Sequence, residues 1–294
     1  MKMIERYDIF ERVMGEGAGN QFQSNEIKAH FYQDGRVILI EGFRCGDDAR
    51  RIRFMPDSLG KWTYEIIDKV SEETIETGEF ECVKESGQNH GPVKVKAMTF
   101  CYADDSCFVP IGTTLYAWIY QTDQLIHSTL QTLANSPFNK VRMCLFPKSM
   151  EYNQEDPKMF PFFQTEEGTW AIDRPNEDFW AHLEKQLNAL LSLGIEADII
   201  LFHPYDRWGF SSLTREDSLN YVDYCIRRLS AFRNVWWSLA NEYELIFSKT
   251  DDDWEELGNY LSANDPYRHL LSNHNWLKPY DATKPFITHH SIQT

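Results

Sequence analysis

Apolar and polar residues alternate in short segments near the start of the chain. They are Ile27-Lys28-Ala29-His30-Phe31, Arg36-Val37-Ile38-Leu39-Ile40, Arg51-Ile52-Arg53-Phe54 and Trp62-Thr63-Tyr64-Glu65-Ile66. A period of two marks strands with one buried face. Turn residues separate the segments: Asp34-Gly35, Gly46-Asp47-Asp48, Pro56-Asp57-Ser58-Leu59-Gly60 and Thr77-Gly78. This spacing predicts an antiparallel β-sandwich of immunoglobulin or fibronectin type over residues 1–95, with no helix of ordinary length.

The texture changes after Asn89-His90-Gly91-Pro92, and from there apolar runs alternate with amphipathic stretches. Residues 108–113, 140–146, 198–202, 235–239, 269–272 and 285–289 read as six strands. The first helix follows through Leu125, Leu130 and Leu133. The second opens around Asp173-Arg174-Pro175, with Pro suited to a first turn, and its stripe is Phe179, Trp180, Leu183, Leu187, Leu190 and Leu191. A third carries Leu219, Val222, Ile226 and Leu229 after Thr214-Arg215-Glu216-Asp217, a capping-box-like start with Asp in place of Glu or Gln. Asp251-Asp252-Asp253 before Trp254 reads as acidic charge at a helix N-terminus. Repeated β/α units give a parallel sheet with helices outside. The expectation for residues 96–294 is therefore α/β, a barrel of (β/α)8 TIM-barrel type truncated after about six units, since eight typically take about 250 residues.

Composition narrows the partners. A net charge of −16 with no basic stripe argues against nucleic acid and anionic membrane. No run approaches a membrane span, and the first residues carry no apolar signal core, so the expected location is cytoplasmic. The six cysteines are scattered without metal-ligand spacing, which predicts neither a disulfide framework nor a metal or other cofactor. Aromatic residues reach 14% with nine Trp, enough for both core and sugar-stacking faces.

The strand ends collect polar and aromatic residues: Tyr116 and Trp118 after the first strand, Arg142 on the second, His203 and Trp208 after the third. Asn241-Glu242 follows the fourth, Asn275 and Trp276 the fifth, and His289 and His290 the sixth. Catalytic groups of such barrels lie at this end of the strands. Amides and carboxylates suit sugar hydroxyls, Trp and Tyr faces suit sugar C–H faces, and the histidines read as hydrogen-bonding groups rather than metal ligands.

Several stretches resemble a known family: Tyr7-Asp8-Ile9-Phe10-Glu11, Gly42-Phe43, Ile52-Arg53-Phe54-Met55-Pro56, Gly60-Lys61-Trp62-Thr63-Tyr64, Asn89-His90-Gly91-Pro92-Val93 and Pro110-Ile111-Gly112-Thr113-Thr114-Leu115-Tyr116-Ala117-Trp118. They are similar to the clan A glycoside hydrolases, in the cellulase-like or apiosidase-like group with an N-terminal sandwich of unknown function. The resemblance implies a retaining glycosidase for β-linked or plant-derived oligosaccharides, with Glu242 as general acid/base. Asn241 would bond the sugar 2-hydroxyl, and Arg142 would orient a nucleophile carboxylate. That nucleophile belongs to a seventh strand and has no counterpart among the six strands. Two expectations therefore stand beside each other: a glycosidase, and a non-catalytic carbohydrate-binding or truncated relative. Homo-oligomerisation, or completion by a missing C-terminal segment, would cover the open sheet edges.

Overall fold

A computed structural model describes residues 1–15, 26–46 and 49–293, so Asp47 and Asp48 of one expected turn lie outside the described residues. The chain forms two compact units. The first is Met1–Pro92 with Tyr224–Arg233 and Asp265–Tyr267; the second is Val93–Asp223, Asn234–Asn264 and Arg268–Thr294.

Among the described residues the first unit has eight strands: β1 (Lys2–Glu5), β2 (Phe10–Met14), β3 (Ile27–Gln33), β4 (Arg36–Glu41), β5 (Phe43–Cys45), β6 (Ala49–Phe54), β7 (Gly60–Asp68) and β8 (Thr74–Val83). They make a five-stranded sheet ordered β1-β8-β7-β3-β4 and a three-stranded sheet ordered β2-β6-β5. The period of two is visible in β3, where Ile27, Ala29, Phe31 and Gln33 are buried and the residues between them are not. Phe10, Phe31, Phe54, Trp62 and Phe80 meet in one apolar cluster, with Phe31 and Phe54 stacked at 4.0 Å. Gly78 is needed here because the Tyr64 ring, on the paired strand, fills the space of a Cβ. One pairing departs from the antiparallel expectation. β7 occupies one side of β8, and β1 runs parallel along the other, Lys2 opposite Phe80.

The second unit begins with an antiparallel sheet of β9 (Val93–Lys96), β10 (Thr99–Tyr102) and β11 (Cys107–Phe108). Phe108 therefore does not start the first parallel strand, as the apolar run suggested. With Val93 it packs against Trp236 and Leu270, and that strand is the shorter β12 (Gly112–Thr114). Next come α1 (Asp123–Ala134), β13 (Lys140–Cys144), β14 (Phe162–Gln164), β15 (Trp170–Pro175) and α2 (Glu177–Ser192). After them run β16 (Glu196–Phe202), α3 (Arg215–Leu229), β17 (Val235–Ala240), α4 (Asp251–Asn264) and β18 (Leu271–Ser272).

Strands β12-β13-β16-β17-β18 form one parallel sheet in chain order, with helices between β12 and β13, β13 and β16, β16 and β17, and β17 and β18. This is the barrel type of fold expected. All seven residues of β16 and all six of β17 are buried, as strands covered on both faces must be. Thr214 and Asp217 close the start of α3, and Thr250 with Asp253 closes α4 by side-chain and backbone bonds at once.

Three further expectations need correction. Asp173 to Pro175 lie in a hairpin, because Pro175 pairs with Phe162; α2 starts after Asn176, whose N–H is taken by Pro161. Leu125 is 47% exposed, and α1 buries Ile126 in its place beside the expected Leu133. Among the described residues 285–289 form no strand, so the parallel sheet has five strands rather than six. The segment still runs beside β18, but the Thr288 hydroxyl accepts from the Leu271 N–H where a ladder carbonyl would. Phe286 anchors it by packing where Gly258 of α4 has no side chain.

Candidate active site

The backbone at the end of β17 is over-determined. Asn241 N–H donates to Phe202 O at 2.9 Å, and His274 N–H to Ala240 O at 3.0 Å. Tyr243 N–H donates to His274 O at 3.1 Å, and the Asn273 side chain accepts from Ala240 N–H. Between these anchors Glu242 adopts φ 54° and ψ 55°, the left-handed region. A non-glycine residue there carries strain on the order of 1–3 kcal/mol, which the neighbouring bonds must offset. The unit's other non-glycine residues with positive φ, Ala97, Asp105 and Arg268, are all exposed; Glu242 is 7% exposed.

Two tyrosines reach this pair. Tyr205, three residues beyond β16, donates its hydroxyl to Oε2 of Glu242. Tyr116, after β12, donates to Oδ1 of Asn241 at 3.3 Å. Burial, followed by the bond to Glu242, pushes the Tyr205 hydroxyl well above its usual range, so it stays a donor. Lys148, beyond β13, places its ammonium 3.9 Å from the Tyr116 ring centre and 4.1 Å from that of Tyr205. Burial lowers the Lys148 pKa, opposed by the nearby Cys144 and Glu242.

Below this level lies a charged layer. Arg142 donates to Ser238 Oγ at 3.2 Å and stands 3.4 Å from Asp198, which also takes Lys140 at 2.6 Å. Burial alone would push the Asp198 carboxyl up. The two cations outweigh it and hold the carboxyl below the usual aspartate range.

The other expected site residues are distributed unevenly. Trp276 is 39% exposed, and Glu244 fixes its loop by accepting from the N–H groups of Trp276, Leu277 and Lys278. Trp208 is half-buried, bonded to Asp156 through Nε1 with Arg207 over its ring. His203 is buried with Nε2 on Phe146 O, and burial lowers its pKa to about 4, so it is neutral. His290 is exposed.

Three of them cannot do what was expected. Trp118 is 4% exposed and packs as core, leaving no face for a sugar. Asn275 commits both ends of its amide to the backbone of Gln293. His289 packs against Phe100 and Trp236 at the opposite, N-terminal end of the sheet, where burial lowers its pKa to about 4. Sequence reading missed Lys148, Tyr205, Glu244 and His274. Tyr205 carried a signal, its place in the polar run after the third strand; Lys148, in Phe146-Pro147-Lys148, resembles an ordinary exposed lysine. Among the described residues no three or more His, Cys, Asp or Glu side chains are grouped to hold a metal. None of the described helices is long and apolar enough to cross a membrane.

A parallel β/α sheet preceded by a sheet domain is a fold this chain shares with glycoside hydrolases of known structure. The chain belongs to the apiosidase-like family: the description "Apiosidase-like, catalytic domain" matches residues 96–293. A domain of unknown function (DUF5060) matches residues 3–69. Among solved structures, a candidate glycoside hydrolase from Bacteroides vulgatus is 39% identical over 100% of this chain, with a TM-score of 0.92. This chain spans 60% of that protein's length. A glycoside hydrolase family 5 protein of the same organism aligns over 70% of this chain and 45% of its own, at 15% identity and a TM-score of 0.54, a likeness of fold alone. Among curated proteins none matches.

Proposed function

We propose that this chain carries the acid/base half of a retaining glycosidase acting on β-linked or plant-derived oligosaccharides. The observation that carries the reading is Glu242, a strained and nearly buried carboxyl at a barrel strand end, with Asn241 beside it. Protonated Glu242 gives its proton to the glycosidic oxygen as the bond from that oxygen to the anomeric carbon breaks. The bonding pair stays on the departing oxygen. A second carboxylate attacks the anomeric carbon, and Glu242 then takes a proton from the water that releases the sugar. That second carboxylate is not identified among the described residues. Arg142, in the charged layer below, would orient it, while Asn241 would bond the sugar 2-hydroxyl. Tyr116, Trp208 and Trp276 would line the cleft.

The test is hydrolysis of a panel of aryl glycosides by this protein and by Glu242→Gln. The substitution should lower the rate by roughly a thousandfold while leaving the unfolding midpoint in place. Equal rates in the two proteins would remove Glu242 from the role. Oligosaccharide binding without turnover in either would favour the non-catalytic reading.

A further inference from the structure

We propose that Lys148 is a positioning residue for the acid/base carboxyl. Its ammonium, held between the faces of Tyr116 and Tyr205, seats their hydroxyls on Asn241 and Glu242, leaving Oε1 of Glu242 to carry the transferred proton. The inference rests on the glycosidase reading above and adds to it which oxygen acts and what holds it.

Lysine is almost never this buried without an acidic partner, and Lys148 is 4% exposed. It makes no ion pair with Glu242, and Nζ donates no hydrogen bond to any described residue. What it has instead is two aromatic faces at 3.9 and 4.1 Å. A desolvated ammonium over a tyrosine face is attracted by the negative charge of that face. Because a phenol hydroxyl lies in the plane of its ring, fixing both rings about one ammonium also fixes both hydroxyls. The backbone reinforces the arrangement. Ser149 N–H donates to Tyr205 O at 2.9 Å, and the Asn153 side chain donates to Lys148 O at 2.6 Å.

The hydroxyl of Tyr205 donates to Oε2 of Glu242, so that oxygen already accepts one proton. Oε1 accepts no hydrogen bond from any described residue. In the protonated carboxyl the acidic hydrogen therefore sits on Oε1, and Oε2 remains the acceptor. The charged and titratable groups around the carboxyl are Tyr116, Arg142, Lys148, Tyr205 and His274, with Cys144 and Tyr152 behind them.

The experiment follows the side-chain carboxyl carbon of Glu242 by ¹³C NMR in protein labelled at glutamate, with Glu242→Gln identifying the resonance. Its titration midpoint is read in the wild type, Lys148→Met, Lys148→Arg and Tyr205→Phe. We expect Lys148→Met and Tyr205→Phe each to raise the midpoint by about one pH unit, while Lys148→Arg, which keeps charge and ring contacts, stays with the wild type. An unmoved midpoint in Tyr205→Phe or Lys148→Met overturns the proposal. If Lys148→Met does not fold, Tyr205→Phe, which loses one oxygen, decides alone. Aryl glycoside hydrolysis is scored separately. A midpoint that moves in a protein without turnover supports the clamp and counts against the glycosidase reading. Turnover with an unmoved midpoint overturns the clamp only.

Discussion

The two units spend their polar residues differently. In the sandwich the central cluster is aromatic and several charged pairs lie toward its faces and edges, Arg12 with Glu76, Lys28 with Glu72, Lys69 with Glu26 and Glu41, while the buried guanidinium groups of Arg53 and Arg228 stand over the Phe43 ring. In the barrel unit a buried carboxylate is shared between two cations. Asp198 is 1% exposed between Lys140 and Arg142, and Lys148 is nearly as buried with only ring faces for company. An interior built for stability alone would be apolar, because a buried ion pair often does no better than well-packed hydrophobic residues. The barrel's inward charges lie on β13 and β16, in the same parallel sheet as β17, at whose end Asn241 and Glu242 stand.

This contrast can be broken by substitution. The largest effect should come from the apolar interior. Phe80 is fully buried in the sandwich, stacked at 4.4 Å on Phe10. Phe80→Ala should cost about 4 kcal/mol, the transfer term plus an unfilled cavity. Amide hydrogen exchange would locate the loss in β2, β3, β7 and β8; a loss below about 1 kcal/mol would mean that the aromatic cluster is not what holds this unit.

Next comes the inward charge of the barrel. Asp198→Asn leaves Lys140 and Arg142 buried without their shared anion and should cost about 3 kcal/mol. The pH dependence has a definite sign. The folded state holds the Asp198 carboxyl below its ordinary range, so the unfolded chain binds that proton more tightly. The stabilisation is complete above the ordinary aspartate pKa, about 4, and disappears as pH falls through the lower folded value. Urea midpoints measured from pH 6 down to pH 3 should therefore fall more steeply in the wild type than in Asp198→Asn. Parallel curves would show that the triad is neutral to stability.

How much of this was legible in the chain follows from range. Alternation in β3 and the apolar runs of β16 and β17 are local patterns, and they identified the strands. The start of α3 was legible in Thr214 to Asp217 as side-chain chemistry within four residues, and that of α4 in the acidic run Asp251 to Asp253. Asn241-Glu242 was legible as a position, because a polar pair directly follows a buried run. Lys148 was not, and Tyr205 only as part of a polar run, since their roles depend on a meeting across 57 residues between the ends of two strands. The segment 285–289 misled for the same reason: its apolar residues suit a strand, but Phe286 is claimed by Gly258 and Thr288 by Leu271. Asn275 and Trp118 show the converse, residues of suitable type that packing had already committed.

The smallest effect should come from the sandwich surface. Arg12 bonds both oxygens of Glu76, at 2.7 and 2.8 Å, yet its side chain is 42% exposed and that of Glu76 22%. Water screens such a pair, and holding two long side chains costs entropy. Glu76 also keeps the Tyr64 hydroxyl, which donates to it at 2.8 Å, so loss of Arg12 leaves no bare carboxylate. Arg12→Ala should therefore cost about 0.5 kcal/mol, and 1 M salt should erase most of that difference. Urea titrations at low and high salt make the measurement. A salt-insensitive loss above about 1.5 kcal/mol would put this pair in the class of Asp198 and its cations, and exposure would no longer separate the two kinds of pair.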